Sequence, residues 1–144
     1  AMLDWEHPTL RPIYTPHLGE FKKMFNIKNN CIDDKILNDI QKKCALRIII
    51  LKSFNTFIIT EDMIYIMDKG PSLLATAGTG DVLSGILVSL LSQGYSRLEA
   101  SILGTYLHAE AANYYMNNIS KDGMIASDLI DCIPYAFNRI RKND

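Results

Sequence analysis

The stretch Ala75-Thr76-Ala77-Gly78-Thr79-Gly80-Asp81-Val82-Leu83-Ser84-Gly85 decides how this chain is interpreted, because it joins a flexible loop to a long apolar helix. Glycine lets backbone N–H groups approach a ligand closely, and the N-terminus of a helix offers unpaired donors that favour negative charge. The stretch therefore predicts an anion site of the size of a phosphate.

Asp81 stands at the same point, where an acid would repel a bound anion. Its presence makes chemical sense if a proton must be removed from a hydroxyl group that attacks phosphorus. The alternative is structural: Gly78 and Gly80 form a tight turn, and Asp81 is a first-turn acid that interacts with the helix dipole. This segment alone leaves both interpretations open.

The remaining chain alternates between strand-like and helix-like patterns. Residues 46–51 form a nearly continuous β-branched run, which is typical of a strand covered on both faces. Other strands are predicted at 11–15, 56–60 and 63–67, the last two as an antiparallel hairpin. Helices are predicted at 19–25, from Asp33 or Asp34 to Cys44, and at 81–93, 96–117 and 126–141. This order predicts an α/β architecture.

The starts and ends of the last three helices carry capping residues. Thr79, Ser96 and Ser127 each supply a side-chain oxygen at a predicted helix start, and Gly94 is placed to end the first of these helices. We therefore expect these four residues to set the helix boundaries.

Size and composition exclude several classes of protein. The chain has 144 residues, 48% of them hydrophobic, which suits one core and one domain. With 15 basic and 16 acidic residues it has no excess positive charge for nucleic acid or an anionic membrane surface. The start of the chain resembles no secretory signal, and the apolar residues 82–91 are too few to span a membrane. The three cysteines, all in helix-like segments, are expected to be free thiols. We expect a cytoplasmic protein.

Several segments together resemble a known family. The string Ala-Gly-Thr-Gly-Asp-Val-Leu-Ser-Gly-Ile at 77–86 resembles the signature of the ribokinase superfamily. Three further segments resemble the NAD(P)H-hydrate dehydratases of that superfamily, in the same order along the chain. They are Thr-Pro-His-Leu-Gly-Glu-Phe at 15–21, Leu51-Lys52 followed by Thr56, and Ala-Ser-Asp-Leu-Ile at 126–130. The resemblance spans residues 13–135.

The resemblance implies a fold and a set of site residues. The fold is α/β and ribokinase-like, a mixed and mainly parallel sheet flanked by helices, of which residues 1–144 are a single partial domain, the C-terminal half. Asp81 is implied as the catalytic base, and Asp81 and His17 as the residues that face the substrate. Glu20 is implied at the magnesium ion. The residues implied to hold the nucleotide are Lys52, Ser53, Phe54, Asn55, Thr56, Gly78, Thr79 and Gly80.

The implied reaction repairs a damaged nicotinamide nucleotide. Its substrate is NADH or NADPH that has gained water across a ring double bond, and ADP or ATP with Mg²⁺ drives the removal of that water. The implied partners are the NAD(P)H hydrate, further copies of the chain in a homo-oligomer, and a second chain that supplies the missing N-terminal half.

Two departures from the family pattern keep alternatives open. Ser53 replaces a glycine after the nucleotide lysine, and Ala77 replaces the first glycine of Gly-Gly-Thr-Gly-Asp, so side chains stand where backbone should meet the ligand. One alternative is a thiazole or hydroxymethylpyrimidine kinase, and another is an inactive nucleotide-binding or subunit-interaction fragment. His17 favours the dehydratase, because related vitamin kinases carry Asn there.

Overall fold

The computed structural model describes residues 11–29, 31–68 and 70–141. The chain divides between Ile66 and Met67 into two compact units, which we call the first and the second unit. No helix in the described residues is long and apolar enough to cross a lipid bilayer.

In its described residues the first unit contains two helices and a mixed sheet of four strands in the order β1-β2-β3-β4. The strand β1 runs parallel to β2, with Ile13 opposite Ile48, and β2 runs antiparallel to β3. The sheet is therefore mixed, as predicted. Its elements are β1 (Ile13–Tyr14), α1 (Leu18–Met24), α2 (Asp34–Cys44), β2 (Ile48–Lys52), β3 (Thr56–Ile59) and β4 (Ile64–Met67), the last extending one residue past the unit boundary.

The core of the first unit forms around β2. Residues 48–51 are all buried, which confirms the prediction of a strand covered on both faces. Helix α2 covers this core with Leu37, Ile40 and Cys44, which follow the helical spacing. It begins as predicted, because the Asp33 Oδ1 atom accepts a hydrogen bond of 2.8 Å from the Ile36 amide.

The second unit is helical. A 3₁₀ turn at Ser72–Ala75 precedes α3 (Thr79–Ser92), α4 (Arg97–Asn118) and α5 (Ala126–Arg141). All three long helices lie where the apolar spacing predicts them. Helix α4 packs against both α3 and α5, which also contact each other, and Leu90, Leu107 and Leu129 belong to the buried core of the unit.

The predicted helix ends are confirmed at two positions. Ser96 caps α4 through a capping box, in which its Oγ accepts from the Glu99 amide at 3.2 Å and the Glu99 carboxylate accepts from the Ser96 amide at 2.8 Å. Gly94 directly follows Gln93, the C-cap residue of α3, and has a φ of 90°, a left-handed conformation that favours glycine.

The predicted caps at Thr79 and Ser127 are wrong. Helix α3 is capped by Gly78, without a side-chain hydrogen bond, because the Thr79 hydroxyl lies 2.8 Å from both the Leu74 and Thr76 carbonyl oxygens. Helix α5 begins at Ala126, so Ser127 already lies within its first turn. At this helix start the Ile125 amide donates a hydrogen bond to the Asp128 carboxylate at 2.9 Å.

The cysteines are free thiols, as predicted. Cys44 and Cys132 are buried in helices, whereas Cys31 is exposed and lies outside a helix, so its predicted helical placement is wrong. Burial raises the pKa of the Cys44 thiol to about 12.

Candidate functional site

His17 begins α1 directly after β1 and acts as its N-cap. Its Nδ1 atom accepts hydrogen bonds from the amides of Gly19 at 3.0 Å and Glu20 at 3.3 Å. A ring nitrogen that accepts carries no proton, so these bonds assign the proton of the neutral ring to Nε2. The ring itself is exposed, and Nε2 is therefore the nitrogen that His17 offers as a donor.

Glu20 completes the cap from the other side. Its Oε2 atom accepts from the His17 amide at 2.9 Å, and its Oε1 atom lies 3.4 Å from His17 Nε2. The family resemblance implies a magnesium ion at Glu20, and in the structure its carboxylate holds the amide of His17. Among the described residues no group of three or more His, Cys, Asp or Glu side chains could hold a metal ion.

The sheet brings Lys52 beside His17. The Lys52 amide donates to the Pro16 carbonyl oxygen at 2.9 Å, and His17 and Lys52 form an isolated parallel bridge. Both residues thus lie at the carboxyl ends of β1 and β2. In open α/β sheets this is the edge at which ligands bind.

The residues that follow Lys52 form the turn between β2 and β3. Thr56 pairs with Lys52 across the two strands, and the hydroxyl of Ser53 donates to the Asn55 carbonyl oxygen. Phe54 is 99% exposed. The Ser53 side chain, which replaces a glycine, is thus used inside the turn, and the structure brings Lys52, Ser53, Phe54, Asn55 and Thr56 together with His17 and Glu20 in the first unit.

The second unit holds the other predicted site residues at the start of α3. Gly78 has a φ of 85°, and no side chain caps the helix. Thr79 is buried and its hydroxyl is turned toward the carbonyl oxygens of the 3₁₀ turn, so it does not point outward to a ligand. Backbone donors of the first helical turn are therefore left without a side-chain partner.

Asp81 differs from the other acids at the same helix position. Four helices carry an acid at the third helical residue, and in three of them its carboxylate accepts from the amide of the N-cap: Glu20 in α1 at 2.9 Å, Glu99 in α4 at 2.8 Å and Asp128 in α5 at 2.9 Å. Asp81 in α3 is exposed, and no hydrogen bond or ion pair from the described residues holds its carboxylate. It remains available to a ligand.

A cavity of about 550 Å³ lies beside Asp81. Its walls are largely apolar, and the volume is typical of small-molecule sites. Helix α3 contributes Asp81, Val82 and Ile86, and α5 contributes Ile130, Ile133 and Phe137. Sequence reasoning missed the α5 side of this cavity, although the family-like segment at 126–130 was the signal that could have found it.

Similarity to known proteins agrees with these features. The sequence profile of the NAD(P)H-hydrate dehydratase family matches residues 3–135. The chain belongs to this family. The match begins ten residues before the resemblance seen in the sequence motifs, which started at residue 13.

Individual NAD(P)H-hydrate dehydratases match over most of this chain. It is 32% identical over 131 residues to the bifunctional NAD(P)H-hydrate repair enzyme Nnr of Dictyoglomus turgidum, covering 89% of this chain and 26% of that protein. It is 32% identical over 135 residues to the ADP-dependent (S)-NAD(P)H-hydrate dehydratase of Neisseria meningitidis, covering 91% and 46%. The chain therefore spans about half the length of a dehydratase and about a quarter of a bifunctional repair enzyme.

Solved structures place the fold in the same family. The ADP/ATP-dependent NAD(P)H-hydrate dehydratase from Bacillus subtilis, co-crystallized with ATP/Mg²⁺, superposes with a TM-score of 0.79 at 29% identity, over 88% of this chain and 47% of that one. A ribokinase-like superfamily protein from Enterococcus faecalis superposes with a TM-score of 0.74 at 23% identity. The predicted ribokinase-like α/β fold is confirmed.

Proposed function

We propose that this chain carries the catalytic and nucleotide-binding residues of an ADP- or ATP-dependent NAD(P)H-hydrate dehydratase. Membership of the family supports the reaction class. The observation that carries the assignment of Asp81 is its availability, because it is exposed at an uncapped helix start beside a cavity of ligand size. A purely structural acid in the first turn would be expected to accept a hydrogen bond from the N-cap amide, as Glu20, Glu99 and Asp128 do.

In the proposed reaction Asp81 is the general base. It accepts the proton of the substrate hydroxyl while that oxygen forms a bond to the terminal phosphorus of ADP or ATP, and the bond from phosphorus to the bridging oxygen breaks. AMP or ADP leaves. The ring nitrogen then pushes out inorganic phosphate, the adjacent ring carbon loses a proton, and the double bond of NADH or NADPH is restored. Phosphate is expelled in place of hydroxide, which is a poor leaving group.

The start of α3, which has no side-chain cap, has the second role in the proposed reaction. The backbone donors near Gly78, Thr79 and Gly80 stabilise negative charge on the oxygens of the transferring phosphoryl group. Because no described side-chain oxygen occupies the N-cap, an anion meets no side-chain competitor there.

The first unit supplies the remaining roles. We assign Lys52 and the turn Ser53, Phe54, Asn55 and Thr56 to the nucleotide, and the His17 Nε2–H group to the hydrated nicotinamide. Mg²⁺ would neutralise phosphate charge, and Glu20 would hold it with one carboxylate oxygen. One carboxylate fits this ion, because Mg²⁺ in nucleotide sites takes most of its other ligands from water and phosphate.

The test compares Asp81→Asn with the unchanged protein. Because the chain spans about half the length of these dehydratases, the assay is run on the protein as isolated from its source, with any complementary segment present. Hydrated NADH, Mg²⁺ and either ADP or ATP are added, and the return of NADH absorbance is followed. We expect Asp81→Asn to keep nucleotide binding and to lose turnover by a factor on the order of 10² or more.

Asp34→Asn is the matched control. Asp34 is also an exposed acid in the first turn of a helix, so its replacement removes the same charge from a helix start outside the proposed site. Turnover in the control should be unchanged. Undiminished turnover in Asp81→Asn would refute the assignment of Asp81 as the base. Absence of turnover in the unchanged protein would refute the proposed reaction.

The setting of the enzyme belongs to the same proposal. We infer a cytoplasmic homo-oligomer in which a complementary N-terminal half, in the same or a second chain, completes the substrate pocket. The share of each relative that this chain covers supports a missing half. Native mass spectrometry of the isolated protein would detect a second chain and count the copies.

A further inference from the structure

His108 is buried in α4 and contacts the start of α3. It is 5% exposed, and its Nε2 atom lies 2.8 Å from the Thr79 carbonyl oxygen, although the two residues are 29 positions apart in the sequence. Since a carbonyl oxygen only accepts, Nε2 must carry the proton in this contact. The ring is thus fixed as a donor to the first residue of α3.

The close approach of the two helices makes this contact geometrically stable. Gly104, one turn before His108, lies where a Cβ atom would come within 2.8 Å of Leu87 Cδ2 in α3. The absence of a side chain at Gly104 lets α4 pack closely on α3. His108 then reaches the end of α3 that carries Asp81.

Thr79 is therefore held from two directions. Its hydroxyl shares its proton between the carbonyl oxygens of Leu74 and Thr76, and its own carbonyl accepts from His108. The usual way to fix a helix start is a side-chain cap, which would occupy the donors of the first turn. Here the start is fixed through a hydroxyl and a carbonyl, and no described side chain occupies an amide of the first turn, although the Thr79 amide donates to the Thr76 carbonyl oxygen at 3.4 Å.

We propose that His108 is a positioning residue for Asp81. It holds the Thr79 carbonyl, and thereby the helical turn whose third residue is Asp81, without touching substrate or nucleotide. This inference rests on the proposed function for its effect on turnover, while its effect on the order of the first turn is independent of the reaction.

The test uses two replacements of His108 in the protein as isolated. In His108→Gln the amide nitrogen lies as many bonds from the backbone as Nε2 of histidine, so it can still donate to Thr79. His108→Leu fills similar space and cannot donate. Hydrogen–deuterium exchange of the peptide containing residues 79–83 is measured in both, together with kcat and KM for nucleotide and hydrate.

We expect His108→Leu to raise exchange in residues 79–83 on the order of tenfold, the effect of losing one buried hydrogen bond, and to lower kcat by a similar factor with KM for nucleotide nearly unchanged. His108→Gln should recover most of both quantities. Equal behaviour of the two variants, or faster exchange spread over all of α4 and α5, would assign His108 to general packing and overturn the proposal.

Two outcomes separate this inference from the proposed function. If the unchanged protein lacks dehydratase activity but the exchange pattern is as expected, the reaction is wrong and the positioning contact stands. Nitrogen NMR of the His108 ring in the unchanged protein gives a check that needs no variant. A ring protonated only on Nδ1 would overturn the contact whatever the activity.

Discussion

Replacing Gly78 by alanine tests whether the start of α3 depends on a left-handed backbone and on its close neighbour. Gly78 has a φ of 85°, a conformation that costs a residue with a Cβ atom about 1–2 kcal/mol. The added Cβ would also lie 3.0 Å from the Cβ atom of Ala126, closer than the roughly 3.5–4.0 Å at which carbon atoms pack best. Displacing α5 to relieve this contact costs about 1 kcal/mol more. We expect a total loss of about 2–3 kcal/mol in the free energy of unfolding.

Two other glycines separate these contributions. Gly123 has a φ of 78°, and apart from its chain neighbours no atom of the described residues lies within 4 Å of the position that an added Cβ would take, so Gly123→Ala should lose only the conformational part, about 1–2 kcal/mol. Gly85 lies inside α3 with equally open space, and Gly85→Ala should gain up to about 1 kcal/mol from helix propensity.

Urea unfolding followed by circular dichroism measures all three variants, with the slope compared as a check on the unfolding mechanism. A Gly78→Ala variant as stable as the unchanged protein would refute any dependence on the left-handed backbone. Equal losses in Gly78→Ala and Gly123→Ala would refute the part assigned to Ala126.

Substitutions at two sites, one labelling experiment and one pH titration have clear expectations. Ser96→Ala removes the side-chain cap of α4 and should lower the free energy of unfolding by about 1 kcal/mol in urea, whereas Ser96→Asp should retain most of it. Native protein treated with iodoacetamide at mildly alkaline pH should be labelled at Cys31 and not at Cys44, and equal labelling in mass spectrometry would contradict the burial. Burial raises the pKa of Cys44 from 9.0 to about 12, so its contribution to stability is complete below pH 9 and is lost as the pH rises toward 12. Urea unfolding at several pH values in that range should show the free energy of unfolding fall. Arg139→Gln should destabilise by about 1–2 kcal/mol, since it leaves the buried Glu110 carboxylate without the cation that lies 3.1 Å from it, and the added change Glu110→Gln should recover part of that loss.

The elements that sequence predicted well are those governed by local periodicity. The strand at 48–51 follows from a nearly continuous β-branched run, and the spacing of Leu37, Ile40 and Cys44 and the apolar helices of the second unit follow from a repeat of about 3.6 residues. Burial acts on every member of such a repeat in the same way, so the pattern is visible in the sequence without knowledge of the partner.

The wrong and missed features depend on partners that are chosen in three dimensions. Thr79 could have capped α3, but its hydroxyl finds two carbonyl oxygens in the preceding turn. Its contact with His108 spans 29 residues, so no local pattern reveals it. Capping propensity predicts that a hydroxyl near a helix start forms a hydrogen bond with the backbone. It does not predict which of several backbone atoms is the partner.

Four helix starts within one chain show how unusual the position of Asp81 is. An acid at the third helical position is common, and its carboxylate usually accepts a hydrogen bond from the N-cap amide, as in Glu20, Glu99 and Asp128. Asp128 shows that an aspartate is long enough for this bond, so side-chain length does not explain why Asp81 remains without it. The difference lies in the left-handed Gly78, which replaces an extended N-cap and turns the chain so that the start of α3 is left open. A helix with glycine at its N-cap, in place of a residue with a capping side chain, loses only about a few tenths of a kcal/mol. That small loss leaves the Asp81 carboxylate without a partner among the described residues, and an exposed acid beside a helix N-terminus is what proton removal beside a phosphoryl group requires.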